Sequence, residues 1–160
     1  MPLKKFTPDQ SLQKIKQYCA YQERCHAEVR NKLFSYGLNH NEVEEIISVL
    51  IVENYLNEER FALQFARGKF RMRQWGINKI RQSLHLKQVS EYCIKKALGE
   101  IDDGEYKSVL QKLVDRKMSS LKGEKNIFIK KRKLQDFLLQ KGFESEQIRE
   151  IIKDNFIKKQ

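Results

Sequence analysis

Between Arg60 and Ser90 the chain carries eight Lys or Arg and not one Asp or Glu. Arg67, Lys69, Arg71 and Arg73 occupy alternate positions in "RGKFRMRQWGINKIR", and Lys79 and Arg81 follow shortly after. Side chains of this kind at this density neutralise phosphates or grip an acidic protein surface, and each phosphate neutralised steepens the salt dependence of binding. On a helix Arg67 and Arg71 share a face. The plain alternative is a solvated basic face that binds nothing in particular. The loss of acids over 31 residues removes the usual local partners and favours binding.

A second set, Lys130, Lys131, Arg132 and Lys133, falls where a helix is expected to begin. Positive charge is unfavourable at that end of the helix dipole, so use and mere tolerance weigh about evenly there. Trp75 could stack on a base or anchor a partner. Large aromatics are more often buried, and we expect Trp75, Phe61, Phe65 and Phe70 to pack in the interior.

Other chemistry finds little support. Cys19, Cys25 and His26 lie close together, but no second pair with metal-ligand spacing follows, and His40 and His85 stand alone. The seven glycines are scattered, so no phosphate-cradling loop exists. The neighbouring carboxylates Glu44 and Glu45, and Asp102 and Asp103, point different ways on a helix. No catalytic residue, metal or cofactor is expected, and the chain reads as a non-enzyme.

The elements that position these side chains are helical. The sequence has 160 residues, 32 Lys or Arg and 21 Asp or Glu, a net charge of +11. Residues 1–56 are neutral in sum, with seven charges of each sign. Residues 57–102 hold ten basic and five acidic side chains, and residues 103–160 hold fifteen and nine. "MPLKKFTPDQ" lacks the apolar core of a signal peptide, and no run is long enough to span a bilayer. The longest apolar run, "IISVLIV" at Ile46–Val52, suits a buried helix. With three cysteines and no extracellular signal, a reduced, cytoplasmic, membrane-free chain is expected. No dimerisation face is evident, so a monomer is expected.

Thr7, Pro8 and Gln10 open a helix with a capping box, and Leu12, Ile15, Tyr18 and Cys19 continue its rhythm. No alternating β-branched run occurs, so the class is all-α. A repeat organises it. Val29, Leu33, Gly37, Leu38, Val43, Ile46 and Ile47 recur 51 positions on as Ile80, Leu84, Gln88, Val89, Ile94, Ala97 and Leu98. They recur 105 positions on as Leu134, Leu138, Gly142, Phe143, Ile148, Ile151 and Ile152. The one non-apolar position is glycine twice, as a left-handed helix terminus requires. Gln88 in the middle copy predicts strain or a different turn.

Each copy is a helix, a tight turn and a second helix, with Asn39, Ser90 and Glu144 at the start of the second. A further helix precedes each pair, at about 8–22, 57–73 and 103–121. The expected organisation is three three-helix repeats, 8–56, 57–102 and 103–157, the last two basic, in an elongated, curved array.

"YLNEERFALQFARGKF" followed by "WGINKIRQSLHLKQVSEYCIKKAL" resembles the core of the RecX family, bacterial regulators of the RecA recombinase. "RCHAEVRNKLFSYG" and "KRKLQDFLLQKGF" are similar to the first and third modules of that family, so the resemblance runs from about residue 10 to 157. Three departures stand out. Gln88 replaces a glycine, Cys25 takes a cap position usually held by serine, and Ile77 stands where proline often follows the glycine.

The resemblance implies three tandem three-helix units, no enzymatic activity, and binding along the RecA–single-stranded DNA filament. It also implies inhibition of the recombinase's ATPase and strand exchange, and hence a part in DNA repair, recombination and the SOS response. Two rivals remain at this stage. One is a stand-alone helical DNA-binding protein that needs no recombinase, and the other is a structural adaptor whose charge serves solubility.

Overall fold

A computed structural model describes residues 5–157; Pro2 and the rest of the extreme amino terminus lie outside them. Among the described residues there are nine α-helices and no strand. In chain order these are α1 Pro8–Tyr21, α2 His26–Ser35, α3 His40–Val52, α4 Glu58–Arg73, α5 Ile77–Leu86, α6 Glu91–Gly99, α7 Asp103–Ser120, α8 Ile127–Lys141 and α9 Ser145–Ile157. The local signals act as the sequence predicts. Thr7 caps α1 and Asn39 caps α3, each in a reciprocal box with the residue three further on, Gln10 or Glu42. Ser90 Oγ accepts from the Cys93 N–H at 3.3 Å and starts α6. At the third such position, Glu144, the carbonyl accepts from the Ile148 N–H at 3.0 Å while the side chain accepts from the Tyr106 hydroxyl; Asp102 separately caps α7, its carboxylate accepting from the Glu105 N–H at 2.9 Å.

The apolar repeat is the core. Val29, Leu33, Val43, Ile80, Leu84, Ile94, Leu134 and Leu138 are all fully buried, and Ile148 nearly so. Burying each such side chain contributes about 1.5–3 kcal/mol. The turn position is left-handed in all three copies: Gly37 has φ +88°, Gln88 φ +62° and Gly142 φ +96°. Gln88 therefore makes the same turn as the glycines instead of a different one, at a conformational cost of about 1 kcal/mol.

Two compact units contain these helices. One gathers the described residues up to Phe65 together with Leu84–Ala97. Its core includes Ile15, Cys19, Val29, Leu33, Leu38, Val43, Ile46, Ile47, Leu50 and Leu56. Burial in this core pushes the Cys19 thiol up to about 11, so it is an unreactive, packed side chain.

The other unit gathers Ala66–Ser83 with the described residues from Leu98 onward. Its centre is an aromatic row: the Phe70 ring lies 5.8 Å from Tyr106, and Tyr106 lies 5.2 Å from Phe143. Leu110, Leu113, Val114, Leu134 and Leu138 are buried in the same unit.

Two burial expectations need correction. The run Ile46–Val52 is not uniformly interior: Ile46, Ile47 and Leu50 are buried, but Ile51 is 47% and Val52 84% exposed. One face of an amphipathic helix is enough to fill the core, and the rest of the run faces outward. Phe61 and Phe70 are buried as expected, whereas Phe65 and Trp75 are only partly so.

Candidate polyanion-binding site

The cations of the acid-free stretch cluster where α4 ends and α5 begins. Helix α4 stops without a glycine. Gln74 adopts φ +56°, its N–H bonds the Phe70 carbonyl at 3.0 Å, and the Trp75 N–H bonds the Lys69 carbonyl at 3.1 Å. This closure turns Trp75 outward enough to stay half-exposed, with Lys69 Nζ 5.1 Å and Lys79 Nζ 4.6 Å from its ring.

Helix α5 then has no side-chain cap of its own, and its first N–H groups are satisfied by α7 and the end of α8. Gly76 N–H donates to the Lys141 carbonyl at 2.7 Å, and Asn78 N–H donates to the Gly142 carbonyl at 2.9 Å. Ile77 N–H donates to the Tyr106 hydroxyl at 3.0 Å, and that hydroxyl in turn donates to Glu144. A proline at position 77 could not make this bond, which gives the Ile77 departure a physical reason. The approach is so close that a Cβ at Gly76 would overlap the Gly142 carbonyl, and one at Gly142 would overlap Lys79. Burial, followed by the neighbouring Glu144, pushes the Tyr106 phenol strongly up, so it stays a neutral bridge.

The same junction gathers positive charge. Lys141 Nζ donates to the Arg73 carbonyl at 2.8 Å, and Lys79 Nζ donates to the Gln140 carbonyl at 3.4 Å. Burial, and then the charges of Lys79, Arg116 and Arg73, hold the Lys141 ammonium below the usual lysine range. The two ammonium groups are held by carbonyls and not by carboxylates in these bonds, so an incoming anion relieves their mutual repulsion.

The predicted site residues fare differently. Lys69 and Lys79 come together at Trp75, and Arg73 meets Lys141. Arg71 pairs with Glu105 at 3.4 Å, and Arg81 Nη1 bonds the Asn78 side chain at 3.4 Å. Arg67 is exposed. The acid-free stretch is therefore less unpartnered than its sequence implies, because Arg60 reaches Glu23 and Lys87 lies 3.9 Å from Glu28.

Lys130, Lys131, Arg132 and Lys133 fan around the start of α8. Lys131 Nζ sits 5.2 Å from the Phe156 ring, Lys133 lies 3.9 Å from Glu124, and Arg132 is exposed. Lys131 also joins Arg149 and Lys153 on the rim of a groove of about 360 Å³ floored by Ile148, Ile152 and Phe156. Sequence reasoning missed Lys141, Arg116 and Tyr106, and only the glycine beside Lys141 hinted at a close approach. No group of three or more His, Cys, Asp or Glu placed to hold a metal occurs among the described residues.

Fold and site together define an all-α protein of repeated three-helix units that presents clustered cations at the α4–α5 turn. Models described as the second and third three-helix domains of RecX match residues 57–98 and 105–152, together more than half of the chain. The chain belongs to the RecX family of regulatory proteins.

Regulatory protein RecX of Clostridium botulinum is 33% identical over 128 residues, which cover 79% of this chain and 59% of that protein. The Prosthecochloris aestuarii protein of the same name is 29% identical over 135 residues, covering 84% of this chain and 86% of that one. The chain thus spans about three fifths of the clostridial relative's length. In fold it is similar to the crystal structure of RecX from Lactobacillus salivarius, with a TM-score of 0.83, 24% identity, and 92% and 95% of the two chains covered. No helix among the described residues is long and apolar enough to cross a membrane.

Proposed function

We propose that this protein is a non-enzymatic, monomeric, cytoplasmic regulator of the RecA recombinase that binds the recombinase–single-stranded DNA filament and inhibits its ATPase and strand exchange. Family membership supports a regulatory role. The observation that carries the contact is the cluster at the α4–α5 turn, where Lys69 and Lys79 lie against a partly buried Trp75, and Lys141, on the Arg73 carbonyl, feels the charges of Lys79, Arg116 and Arg73. Cations held by backbone carbonyls, as Lys79 and Lys141 are, suit the phosphates of a filament or its acidic loops. Arg67, Arg81 and the Lys130–Lys133 run extend the positive surface. Several such contacts along a polymer multiply one another, so affinity for the assembled filament exceeds affinity for a free protomer.

The test is DNA-dependent ATP hydrolysis by the recombinase, titrated with wild type and with Arg67, Lys69, Arg71 and Arg73 all changed to Glu. Wild type should inhibit below equal concentration, and the quadruple variant should need at least about tenfold more protein, since several contacts of about 1 kcal/mol are reversed. No inhibition by wild type at equal concentration in low salt defeats the proposal. Unchanged potency of the variant moves the contact to α8.

A further inference from the structure

Residues 1–56 are neutral in sum, yet their charges are segregated. Four of the seven acids are engaged away from the basic groove: Glu23 by Arg60, Glu28 by the Cys25 N–H at 3.3 Å, Glu44 by Arg30 at 2.8 Å and Glu53 by Lys16 at 3.1 Å. Lys14, Arg24 and Lys32 instead line an open groove of about 530 Å³ together with Phe6, Tyr18 and Tyr21, and no acid lines it.

Aromatic rings set those cations in place. The Arg24 guanidinium lies 3.7 Å from the Tyr18 ring centroid, and its Nε donates to the Tyr18 carbonyl at 3.1 Å. Lys32 Nζ lies 5.4 Å from the same ring, and Lys14 Nζ lies 4.5 Å from the Phe6 ring. Phe6 is itself held edge-on by Tyr36 at 5.3 Å. Two positive groups thus share one ring. With Nε engaged by that carbonyl, the guanidinium keeps its two terminal nitrogens as a two-pronged donor of the kind that matches phosphate oxygens. Tyr21, on the same groove, is 83% exposed, a free ring beside a phosphate-sized patch of charge.

We infer that this groove binds a nucleoside phosphate, with the base stacked on Tyr21 and the phosphate held by Arg24, Lys14 and Lys32. The size fits: ligand sites run from about 300 to 1,000 Å³. A base needs a flat apolar face next to charge, which Tyr21 and Arg24 together provide. An acidic peptide needs only the charge and leaves the exposed ring without a role. The same chemistry is offered by a free nucleotide and by one nucleotide of a single strand. The inference goes beyond the filament reading, because it requires neither the recombinase nor the α4–α5 cluster.

The experiment uses the full chain without recombinase. A deoxythymidylate oligonucleotide carrying one 5-iododeoxyuridine is photocrosslinked and the adduct mapped by mass spectrometry. Affinity is measured by anisotropy for wild type, Tyr21→Ala, Tyr21→Phe and Arg24→Gln, with free ATP and a polyglutamate peptide as competitors. The inference expects an adduct at Tyr21, binding about five- to tenfold weaker for Tyr21→Ala and Arg24→Gln, and near-normal binding for Tyr21→Phe.

Competition by free ATP at the groove identifies a mononucleotide site, and its absence with an intact adduct identifies a strand site; either supports the inference. No adduct at Tyr21 with unchanged affinity in both variants overturns it. So does competition by polyglutamate that depends on Arg24 while Tyr21→Ala binds normally, since that outcome marks an acidic-peptide site. Tyr21 lies at the surface, so thermal unfolding of Tyr21→Ala should match wild type; Arg24→Gln also gives up the bond to the Tyr18 carbonyl, so its binding is read well below its own unfolding midpoint, and loss of fold does not mimic loss of binding. Failure here leaves inhibition of the recombinase untouched, and the reverse holds.

Discussion

The first turn of α5 and the first turn of α6 each leave backbone N–H groups to be satisfied, and they are served by different chemistry. At α5 the acceptors are neutral: the Lys141 and Gly142 carbonyls at 2.7 and 2.9 Å and the Tyr106 hydroxyl at 3.0 Å. At α6 the acceptor for the Ser90 N–H is the Glu58 carboxylate at 2.6 Å. A neutral cap of this kind demands close approach of main chain to main chain and tolerates no extra atom. A charged cap reaches on a flexible side chain and depends instead on ionisation. The difference bears on function as well. Carbonyls and a phenol, and not a carboxylate, accept from the first N–H groups of α5, the helix start that lies beside Trp75, Lys69 and Lys79.

The sharpest way to break this comparison is Gly76→Ala. The added Cβ would overlap the Gly142 carbonyl, so Gly76, Ile77 and Asn78 would lose their acceptors together. We expect a loss of about 3 kcal/mol or more in urea unfolding, the sum of overpacking and unpaired buried donors. A loss below about 1 kcal/mol would mean that the junction yields easily and that close approach is not what holds α5.

Much of this fold is legible in the sequence because its signals are local. Thr7 and Asn39 cap the residues directly following them, and the repeated apolar positions bury themselves at helical spacing whatever lies around them. The left-handed turn after α5 was also legible, as an exception: Gln88 sits where two glycines sit in the other copies, and it takes their conformation. Gln88→Gly should therefore stabilise the protein by about 1 kcal/mol, less the extra chain entropy of glycine, read as a raised urea midpoint with an unchanged slope. A lowered midpoint would show that the Gln88 side chain contributes contacts worth more than its strain.

What was not legible is what comes from far along the chain. Glu23 reaches Arg60 across 37 residues, and Glu105 reaches Arg71, so a stretch without acids is not a stretch without acidic partners. Lys141 and Tyr106 enter the α4–α5 junction only because two backbones touch at Gly76 and Gly142. Neither spacing nor composition marks such a contact. The segregation of charge in the first 56 residues is hidden for the same reason, since a neutral sum says nothing of which side chains pair.

The smallest effect tests the charged half of the comparison. Burial raises the Glu58 carboxyl, but hydrogen bonds from Ser90 outweigh it and hold the group below its ordinary value of 4.5. A carboxylate depressed in the folded state adds stability that is fully present above its unfolded value and is lost as pH falls through the folded value. Glu58→Gln keeps a neutral acceptor for Ser90 and should cost about 0.5–1 kcal/mol at pH 7, the difference between a charged and a neutral hydrogen bond.

The gap between the two proteins should then close as pH falls below 4.5, read by urea unfolding from pH 7 to 3. Both are best compared in a His26→Gln background, because that imidazole lies 3.9 Å from Glu58 and its own basicity is lowered by burial. A gap that stays constant down to pH 3 would mean that the charge on Glu58 is irrelevant to the α6 cap, and the two helix starts would then differ in geometry alone.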